Sequence, residues 1–224
     1  MTKLFVVPTP IGNLKDITLR ALEILGEVTF IIAEDTRTSK VLLKHYGISK
    51  PLYSYHKHNE QYSASILAEK IAQTGPAAII SDAGTPGVSD AAYLLINTCI
   101  DMGIEVECLP GPTALIPALI QSGFPAHAFV FEGFIPHKKG RNTFWLRIAE
   151  ESRTCICYES PHRIDLSARE MLTWLGPARK ICMVREISKK FMETWRGTAQ
   201  EFIEYSAAHK LRGEIVLVIH GKEK

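Results

Sequence analysis

The chain has 224 residues, of which 46% are hydrophobic and 22% are charged, and its formal net charge is +2. This is the composition of an ordinary soluble globular protein, with room for one large domain or two small ones. The N-terminus lacks the apolar core of a signal peptide, and no apolar run approaches the length of a membrane span. A cytoplasmic protein without a membrane segment is therefore expected. Because the net charge is small, a nucleic-acid substrate would have to be bound by a local basic patch.

Apolar strands and amphipathic helices alternate over the first 120 residues. The predicted strands are 3–7, 28–33, 51–55, 77–80 and 104–109, and the predicted helices are 18–25, 39–46, 63–73, 91–102 and 115–121. Alternation of this kind predicts a mostly parallel sheet with helices on both faces. The run Gly123-Phe124-Pro125 breaks the pattern. We therefore expect two domains, 1–122 and 123–224.

The second half has a different pattern. Its predicted strands are 129–131, 154–158, 181–184 and 215–219, and its predicted helices are one that follows the basic loop at 137–141 and another at 164–175. Short segments link these strands, which favours a mixed sheet. The overall fold class is α/β, with two α/β domains.

Polar or glycine-rich turns follow many of the apolar strands. They are 8–13, 34–37, 81–88, 110–114, 158–163 and 185–186. Ligands bind at the carboxyl ends of strands in α/β sheets. Gly84 and Gly87 allow a bound molecule to approach the backbone, because they have no Cβ. Small side chains, backbone amides and a few carboxylates suit a neutral or zwitterionic, partly apolar ligand better than a polyphosphate.

Several common functional motifs are absent from the sequence. There is no Gly-x-Gly-x-x-Gly after a strand, no phosphate-binding loop and no Gly-x-Ser-x-Gly elbow. His56 and His58 offer two metal ligands, but no nearby cluster completes a site, so no metal is predicted. The five cysteines lack the spacing of a disulfide framework, and Cys155 and Cys157 are expected on one face of a buried strand.

Seven segments, in order, resemble the tetrapyrrole methylase superfamily and, within it, the ribosomal RNA small-subunit methyltransferase I family. They are 7–14, 33–37, 58–60, 81–86, 109–112, 158–163 and 213–217. The Glu-Asp-Thr-Arg and Asp-Ala-Gly-Thr-Pro motifs indicate the rRNA branch, since the porphyrin-methylating branch has Gly-Gly-Asp-Pro in place of 83–86. The segment before Gly197 departs from the family pattern, so Trp195 and Arg196 receive no family role.

The resemblance implies two α/β domains with the cofactor, S-adenosylmethionine, in a cleft between them, and usually a homodimer. It also implies an rRNA (cytidine-2′-O-)-methyltransferase acting on small-subunit (16S) rRNA. The partner would be that rRNA, in an assembled or assembling small ribosomal subunit. The implied cofactor-binding residues are Pro10, Asp82, Ala83, Gly84, Thr85, Val88, Thr113, Ala114, Tyr158 and Val184. Two alternatives are a tetrapyrrole (precorrin-type) methyltransferase and a non-catalytic ribosome-assembly factor with the same fold.

Transfer of a sulfonium methyl to a ribose hydroxyl needs positioning and a proton acceptor. Asp35 and Glu60 are the candidate catalytic residues, because each follows a predicted strand beside the cofactor turns. Three further residues are expected to hold phosphates or the base of the RNA: Arg37, Asn59 and Arg163. The alternative for Asp35 and Arg37 is a structural ion pair.

A basic patch is predicted in the second half of the chain. It comprises the loop His137 to Arg141, with Lys189 and Lys190. Within the loop, Lys138, Lys139 and Arg141 are the predicted RNA contacts, because cations on a local patch neutralise phosphates. The alternative is a solvated loop without a partner.

Overall fold

The computed structural model describes residues 2–57 and 59–223. The chain forms two compact units, Met1–Thr113 and Ala114–Lys224. Each unit is built on its own five-stranded sheet. The predicted fold class of two α/β domains is confirmed.

The first unit contains a wholly parallel sheet. Its strands are β1 (Lys3–Val6), β2 (Phe30–Ala33), β3 (Leu52–Ser54), β4 (Ala77–Ile80) and β5 (Glu105–Cys108). Its helices are α1 (Leu19–Glu27), α2 (Thr36–His45), α3 (Glu60–Thr74) and α4 (Ala92–Asp101). The strand order is β3-β2-β4-β1-β5, and every pair is parallel. All five carboxyl ends therefore lie at one edge of the sheet.

Successive residues of each strand enter different cores, as the alternation of side chains along a strand requires. On β2, Ile32 is buried with residues of α3 and α4, and Ile31 is buried with residues of α1 and α2. Helices thus cover both faces of the first sheet. Helices α2 and α3 each begin three residues before the predicted start, and Asp35 caps the first turn of α2.

The second unit contains a mixed sheet, as predicted. Its strands are β6 (Phe129–Phe134), β7 (Thr154–Glu159), β8 (Lys180–Arg185), β9 (Glu193–Thr198) and β10 (Ile215–Ile219). Its helices are α5 (Leu115–Ser122), α6 (Arg141–Glu150), α7 (Ile164–Leu175) and α8 (Ala199–Ala208). The order is β6-β7-β10-β8-β9; β6 and β7 are parallel, and the remaining pairs are antiparallel. Strand β9 and helix α8 were not predicted from the sequence.

Helix α5 belongs to a different unit from the one predicted. The predicted boundary near residue 122 placed it in the first domain, whereas the structure divides after Thr113. Ala118 and Leu119 are buried, and α5 packs against β8 and β10. Gln121 also accepts hydrogen bonds from β9, with its side chain 2.9 Å from the Thr194 hydroxyl. The apolar face of α5 therefore covers the second sheet.

Four of the five free cysteines are buried, and Cys108 is exposed. Cys155 and Cys157 face the same core, beneath α6, α7 and α8, as expected. In the part of the chain that the structure describes, no helix has the length and apolar character needed to cross a membrane.

Candidate cofactor and catalytic site

The turns after β1 and β4 are joined by backbone hydrogen bonds. Thr9 and Gly84 form an antiparallel bridge, with both N–H···O distances at 2.9 Å. The buried Thr9 hydroxyl donates to the Ser81 carbonyl at 3.0 Å, and the Ser81 hydroxyl donates to the Gly84 carbonyl at 3.1 Å. These bonds satisfy the polar groups of both turns where they are buried. The two turns therefore form one rigid unit at the carboxyl edge of the sheet.

The turn after β5 packs closely against the turns after β1 and β4. The Thr85 hydroxyl donates to the Pro112 carbonyl at 3.0 Å. A Cβ on Gly111 would lie 2.7 Å from the Pro8 Cβ, which is inside van der Waals contact. Gly84 has φ +84°, a conformation that favours glycine. The structure thus brings three predicted cofactor turns, separated by up to a hundred residues in sequence, into contact.

Gly111→Ala tests this close approach. We expect the added methyl to push the Pro8 and Gly111 turns apart and to weaken S-adenosylmethionine binding about tenfold, since overpacking a tight contact costs about 1–3 kcal/mol. Calorimetry measures the affinity. Gly26→Ala is the matched control, because nothing lies within 4 Å of its added Cβ and alanine favours the helix that contains it. Equal cofactor affinity in the two variants would contradict the assignment.

The predicted cofactor residues on these turns leave polar and small groups accessible. Asp82, Ala83 and Val88 are exposed, whereas Gly84 is buried between the turns and contributes shape. The half-buried members of the set are Pro10, Thr85, Thr113 and Ala114. The arrangement offers a carboxylate, backbone groups and a small apolar surface, which fits a cationic nucleoside such as S-adenosylmethionine.

Two carboxyl groups at the ends of β2 and β4 have raised pKa values. Burial raises the pKa of Glu34, and the nearby carboxylates of Asp82 and Asp90 raise it further. Burial also raises the pKa of Asp82, partly opposed by the Asp35 N–H, which donates to its Oδ1 at 3.1 Å. Groups of this kind accept protons near neutral pH better than ordinary carboxylates do. The sequence analysis missed Glu34, although it is the first polar residue after a buried strand.

Asp35 is engaged in a local ion pair. Its carboxylate accepts hydrogen bonds from the Arg37 backbone N–H at 2.8 Å and from the Arg37 guanidinium at 2.7 Å. These bonds lower the pKa of Asp35 to about 2. Asp35 is therefore a weak base, and the structural ion pair that was the alternative is present. The Arg37 side chain is still 89% exposed, so its contact with RNA stays a prediction.

Asn59 and Glu60 lie at the start of α3. The Asn59 side-chain oxygen accepts from the His56 N–H at 2.8 Å, and its amide nitrogen donates to the Ser54 carbonyl at 3.3 Å. The amide closes the turn after β3, which is a structural alternative to its predicted contact with RNA. Glu60 is half-buried, and its catalytic role stays a prediction. His58, part of the same motif, lies outside the described residues.

Arg141 corrects one prediction, because it is buried rather than exposed to a substrate. Its side chain is 6% exposed, and its guanidinium donates to Glu170 at 2.7 Å and to the Ser167 hydroxyl at 2.7 Å. The Glu159 carboxylate, wholly buried, lies 3.5 Å away. The predicted contact between Arg141 and RNA is therefore wrong. Its neighbours Lys138 and Lys139 are exposed, as a basic patch requires.

Glu159 connects this buried network to the end of β7. Its carboxylate accepts from the Ser160 N–H at 2.7 Å and from the Arg163 guanidinium at 2.8 Å. Arg163 is thus held by an ion pair, and its contact with RNA stays a prediction. Tyr158 packs edge-on against Phe131 and Phe134.

All of the predicted cofactor contacts stay predictions, and the surroundings of Tyr158 and Val184 in the second unit bear on two of them. Tyr158 is half-buried. Val184 is wholly buried, with β10 and β9 paired on its two sides. The surroundings of Val184 therefore give its predicted contact no support. Within the described residues, no group of three histidine, cysteine, aspartate or glutamate side chains could hold a metal ion.

Comparisons with known proteins agree with the geometry. The family model for tetrapyrrole (corrin/porphyrin) methylases matches residues 3–203. The structure is similar to diphthine synthase, with a TM-score of 0.76 at 10% identity over 97% of this chain and 90% of that one. It is also similar to uroporphyrin-III C-methyltransferase from Thermus thermophilus complexed with S-adenosyl homocysteine, with a TM-score of 0.66 at 20% identity over 97% of both chains. The family model covers most of the chain, so the chain belongs to the tetrapyrrole (corrin/porphyrin) methylases.

Curated relatives narrow the assignment. Ribosomal RNA small subunit methyltransferase I of Vibrio cholerae serotype O1 is 48% identical over 222 residues, which cover 97% of this chain and 77% of the relative. The protein of the same name from Thermotoga maritima is 43% identical over 223 residues and is covered in full. The chain belongs to the ribosomal RNA small subunit methyltransferase I family.

Proposed function

We propose that this chain is an S-adenosylmethionine-dependent methyltransferase that modifies the ribose 2′-hydroxyl of a cytidine in small-subunit (16S) ribosomal RNA. The observation that carries the proposal is the similarity, at 43% identity over both full lengths, to the Thermotoga maritima rRNA small subunit methyltransferase I. The site provides what this reaction requires of a protein: a rigid cofactor surface and carboxylates beside it.

The joined turns after β1, β4 and β5 are the proposed cofactor surface. S-adenosylmethionine supplies a methyl group already activated by its sulfonium, so the protein must mainly hold the two reactants in line. The Asp82 carboxylate can accept hydrogen bonds from a hydroxyl or an amine, and its charge favours a cation. The rigidity of the Thr9–Gly84 bridge keeps these groups in place without the ligand.

Glu34 is the proposed proton acceptor. A ribose hydroxyl is a weak acid, so a carboxylate with a raised pKa assists as its proton leaves. Burial and the charges of Asp82 and Asp90 raise the pKa of Glu34, whereas the Arg37 ion pair lowers that of Asp35. Between the neighbouring residues of the Glu-Asp-Thr-Arg motif, Glu34 is therefore the better base.

The exposed Lys138 and Lys139 form the proposed phosphate contact in the second unit. Replacing both with alanine should reduce the dependence of log K on log salt by about 1.4, or 0.7 for each phosphate on single-stranded RNA. Titrations of labelled RNA at several salt concentrations measure the slope. Lys210→Ala, an exposed lysine in another loop of the same unit, is the control. An unchanged slope in the double variant would make this segment a solvated loop.

Two measurements test the proposed function as a whole. Calorimetry with S-adenosylmethionine should show saturable binding, which a non-catalytic assembly factor would lack. Small ribosomal subunits lacking the modification should gain a 2′-O-methyl cytidine after incubation with the protein and the cofactor. Methyl transfer to a tetrapyrrole and not to RNA would reject the proposal.

We also expect a homodimer in the bacterial cytoplasm. Sedimentation tests the oligomeric state, and cell fractionation tests the location.

A further inference from the structure

Strands β8 and β9 form an antiparallel hairpin whose base is held by side chains. Arg185 is opposite Glu193 in the register, and the two side chains form an ion pair. The Tyr205 hydroxyl on α8 donates to the same Glu193 carboxylate. The hairpin loop, residues 186–192, therefore projects from an anchored base.

A second set of contacts orders the loop itself. The Glu186 carboxylate accepts from Lys189 Nζ at 2.9 Å and from the Glu214 N–H at 2.9 Å. Lys189 Nζ also lies 3.1 Å from the Glu214 carboxylate. Gly213, which lies beside the Glu186 carboxyl group, has φ +84°, a conformation that favours glycine. Lys189 is therefore occupied within the protein and is not the cation that a partner would meet.

Two residues of the loop have unusual backbone conformations, which the contacts of the loop hold in place. Glu186 has φ +53° and Ser188 has φ +64°, in the left-handed region that non-glycine residues rarely adopt. Such conformations persist where surrounding contacts determine them, and they cluster at functional sites. In this loop the Glu186 conformation coincides with the hydrogen bonds that its carboxylate accepts from Lys189 and Glu214.

The end of the loop next to β9 presents an exposed aromatic ring beside an exposed lysine. Phe191 is 66% exposed and Met192 is 51% exposed. Lys190 is exposed, and its Nζ lies 5.5 Å from the centre of the Phe191 ring. Phe191 and Met192 are adjacent, so the loop exposes apolar surface that the core does not use, beside the Lys190 cation.

We propose that Phe191 stacks on an unpaired base of the RNA substrate and that Lys190 binds an adjacent phosphate. The inference rests on the proposed function, because it takes RNA as the partner. Single-stranded RNA is recognised through aromatic side chains that stack on splayed bases, with cations along the backbone. A ring with a neighbouring cation on a rigid loop meets both requirements, and Met192 extends the apolar surface under the base.

Substitutions at Phe191 test the inference on the full chain. The probe is a fluorescein-labelled, single-stranded RNA dodecamer of mixed sequence, and anisotropy gives its dissociation constant. Phe191→Ala and Phe191→Leu should each weaken binding about tenfold, within the range for the loss of one stacked base. Phe191→Trp should bind at least as well as phenylalanine, and RNA should quench its added fluorescence. Leu146→Ala, an apolar residue 53% exposed on α6, is the matched control and should change nothing.

The outcomes separate this inference from the proposed function. Wild-type RNA affinity in Phe191→Leu would mean that apolar contact without an aromatic ring is enough. Wild-type RNA affinity in Phe191→Ala would mean that residue 191 makes no contact with the RNA. Either result would overturn the proposed stacking. In methylation assays with small ribosomal subunits, Phe191→Ala should raise KM about tenfold and leave kcat and cofactor affinity unchanged. If the wild-type protein is active and Phe191→Ala has an unchanged KM, only the loop contact is rejected. If the wild-type protein is inactive, the proposed function is rejected.

Discussion

Replacing Arg141 with methionine is expected to destabilise the second unit by about 3–5 kcal/mol, the range for breaking a buried ion pair from one side. The methionine fills similar volume but removes the Arg141 cation from the wholly buried Glu159 carboxylate, which keeps the Ser160 N–H and Arg163, and removes the donor to the Ser167 hydroxyl. It also removes the main partner of Glu170, whose remaining partner within the described residues is the Trp145 indole N–H at 2.9 Å. The loss exceeds that of an ordinary core truncation because the carboxylates of Glu159 and Glu170 lose the buried cation that they share.

Tryptophan fluorescence during urea unfolding measures this effect. All three tryptophans, Trp145, Trp174 and Trp195, lie in the second unit, so the signal follows that unit alone. Arg153→Met is the matched control, since it removes an exposed ion pair with Glu151 and should change stability far less. Adding Glu159→Gln to Arg141→Met should restore part of the loss by removing the buried charge. A loss of less than about 1 kcal/mol for Arg141→Met, in the range of exposed pairs, would contradict the structural role.

Glu34→Gln is expected to lower the methyl transfer rate by about 10²- to 10⁴-fold, the contribution of a general base. The amide retains the shape of the side chain and cannot take the proton. Affinity for S-adenosylmethionine should change little, so calorimetry and single-turnover rates must be measured on the same preparations. Glu27→Gln is the control, because this exposed glutamate ends α1, remote from the strand ends that carry the site. A wild-type rate in Glu34→Gln would return the role to Glu60.

The pH dependence gives a second test of Glu34. A base must be ionised to act, so the rate falls as pH drops through its pKa. Because burial and neighbouring carboxylates raise that pKa, the fall should begin above the ordinary range of a glutamate. Asp35, with a pKa of about 2, stays ionised there and cannot cause the fall. The acid limb should disappear in Glu34→Gln and persist in Glu27→Gln.

Much of the architecture was predictable because it depends on local pattern. The helix at Ile164–Leu175 and the strand at Ala77–Ile80 have the predicted bounds. Helix α8 was missed although Thr198 and Glu201 form a capping box, a signal visible in the sequence. Strand β9 was missed because Thr194, Trp195 and Arg196 show no clean alternation, and its pairing with β8 makes it a strand.

The joined turns were also anticipated, because the carboxyl ends of parallel strands must meet at one edge. Their contacts were not: the Thr9–Gly84 bridge and the fit of Gly111 against Pro8 join segments far apart in sequence. The choice of Glu34 rather than Asp35 as the proposed base depends on the burial of Glu34 and on the ion pair of Asp35. The residue types alone show neither of these features.

The order of residues along the chain was sufficient to specify most of its strands and helices, its parallel first sheet and its family motifs. Tertiary structure alone decided that α5 belongs to the second sheet, that Arg141 is buried while Lys138 and Lys139 are exposed, and that Asp35 is an ion-pair partner. The physical reason is that periodicity reports which residues prefer burial, whereas the state of a charge depends on the groups that folding places around it.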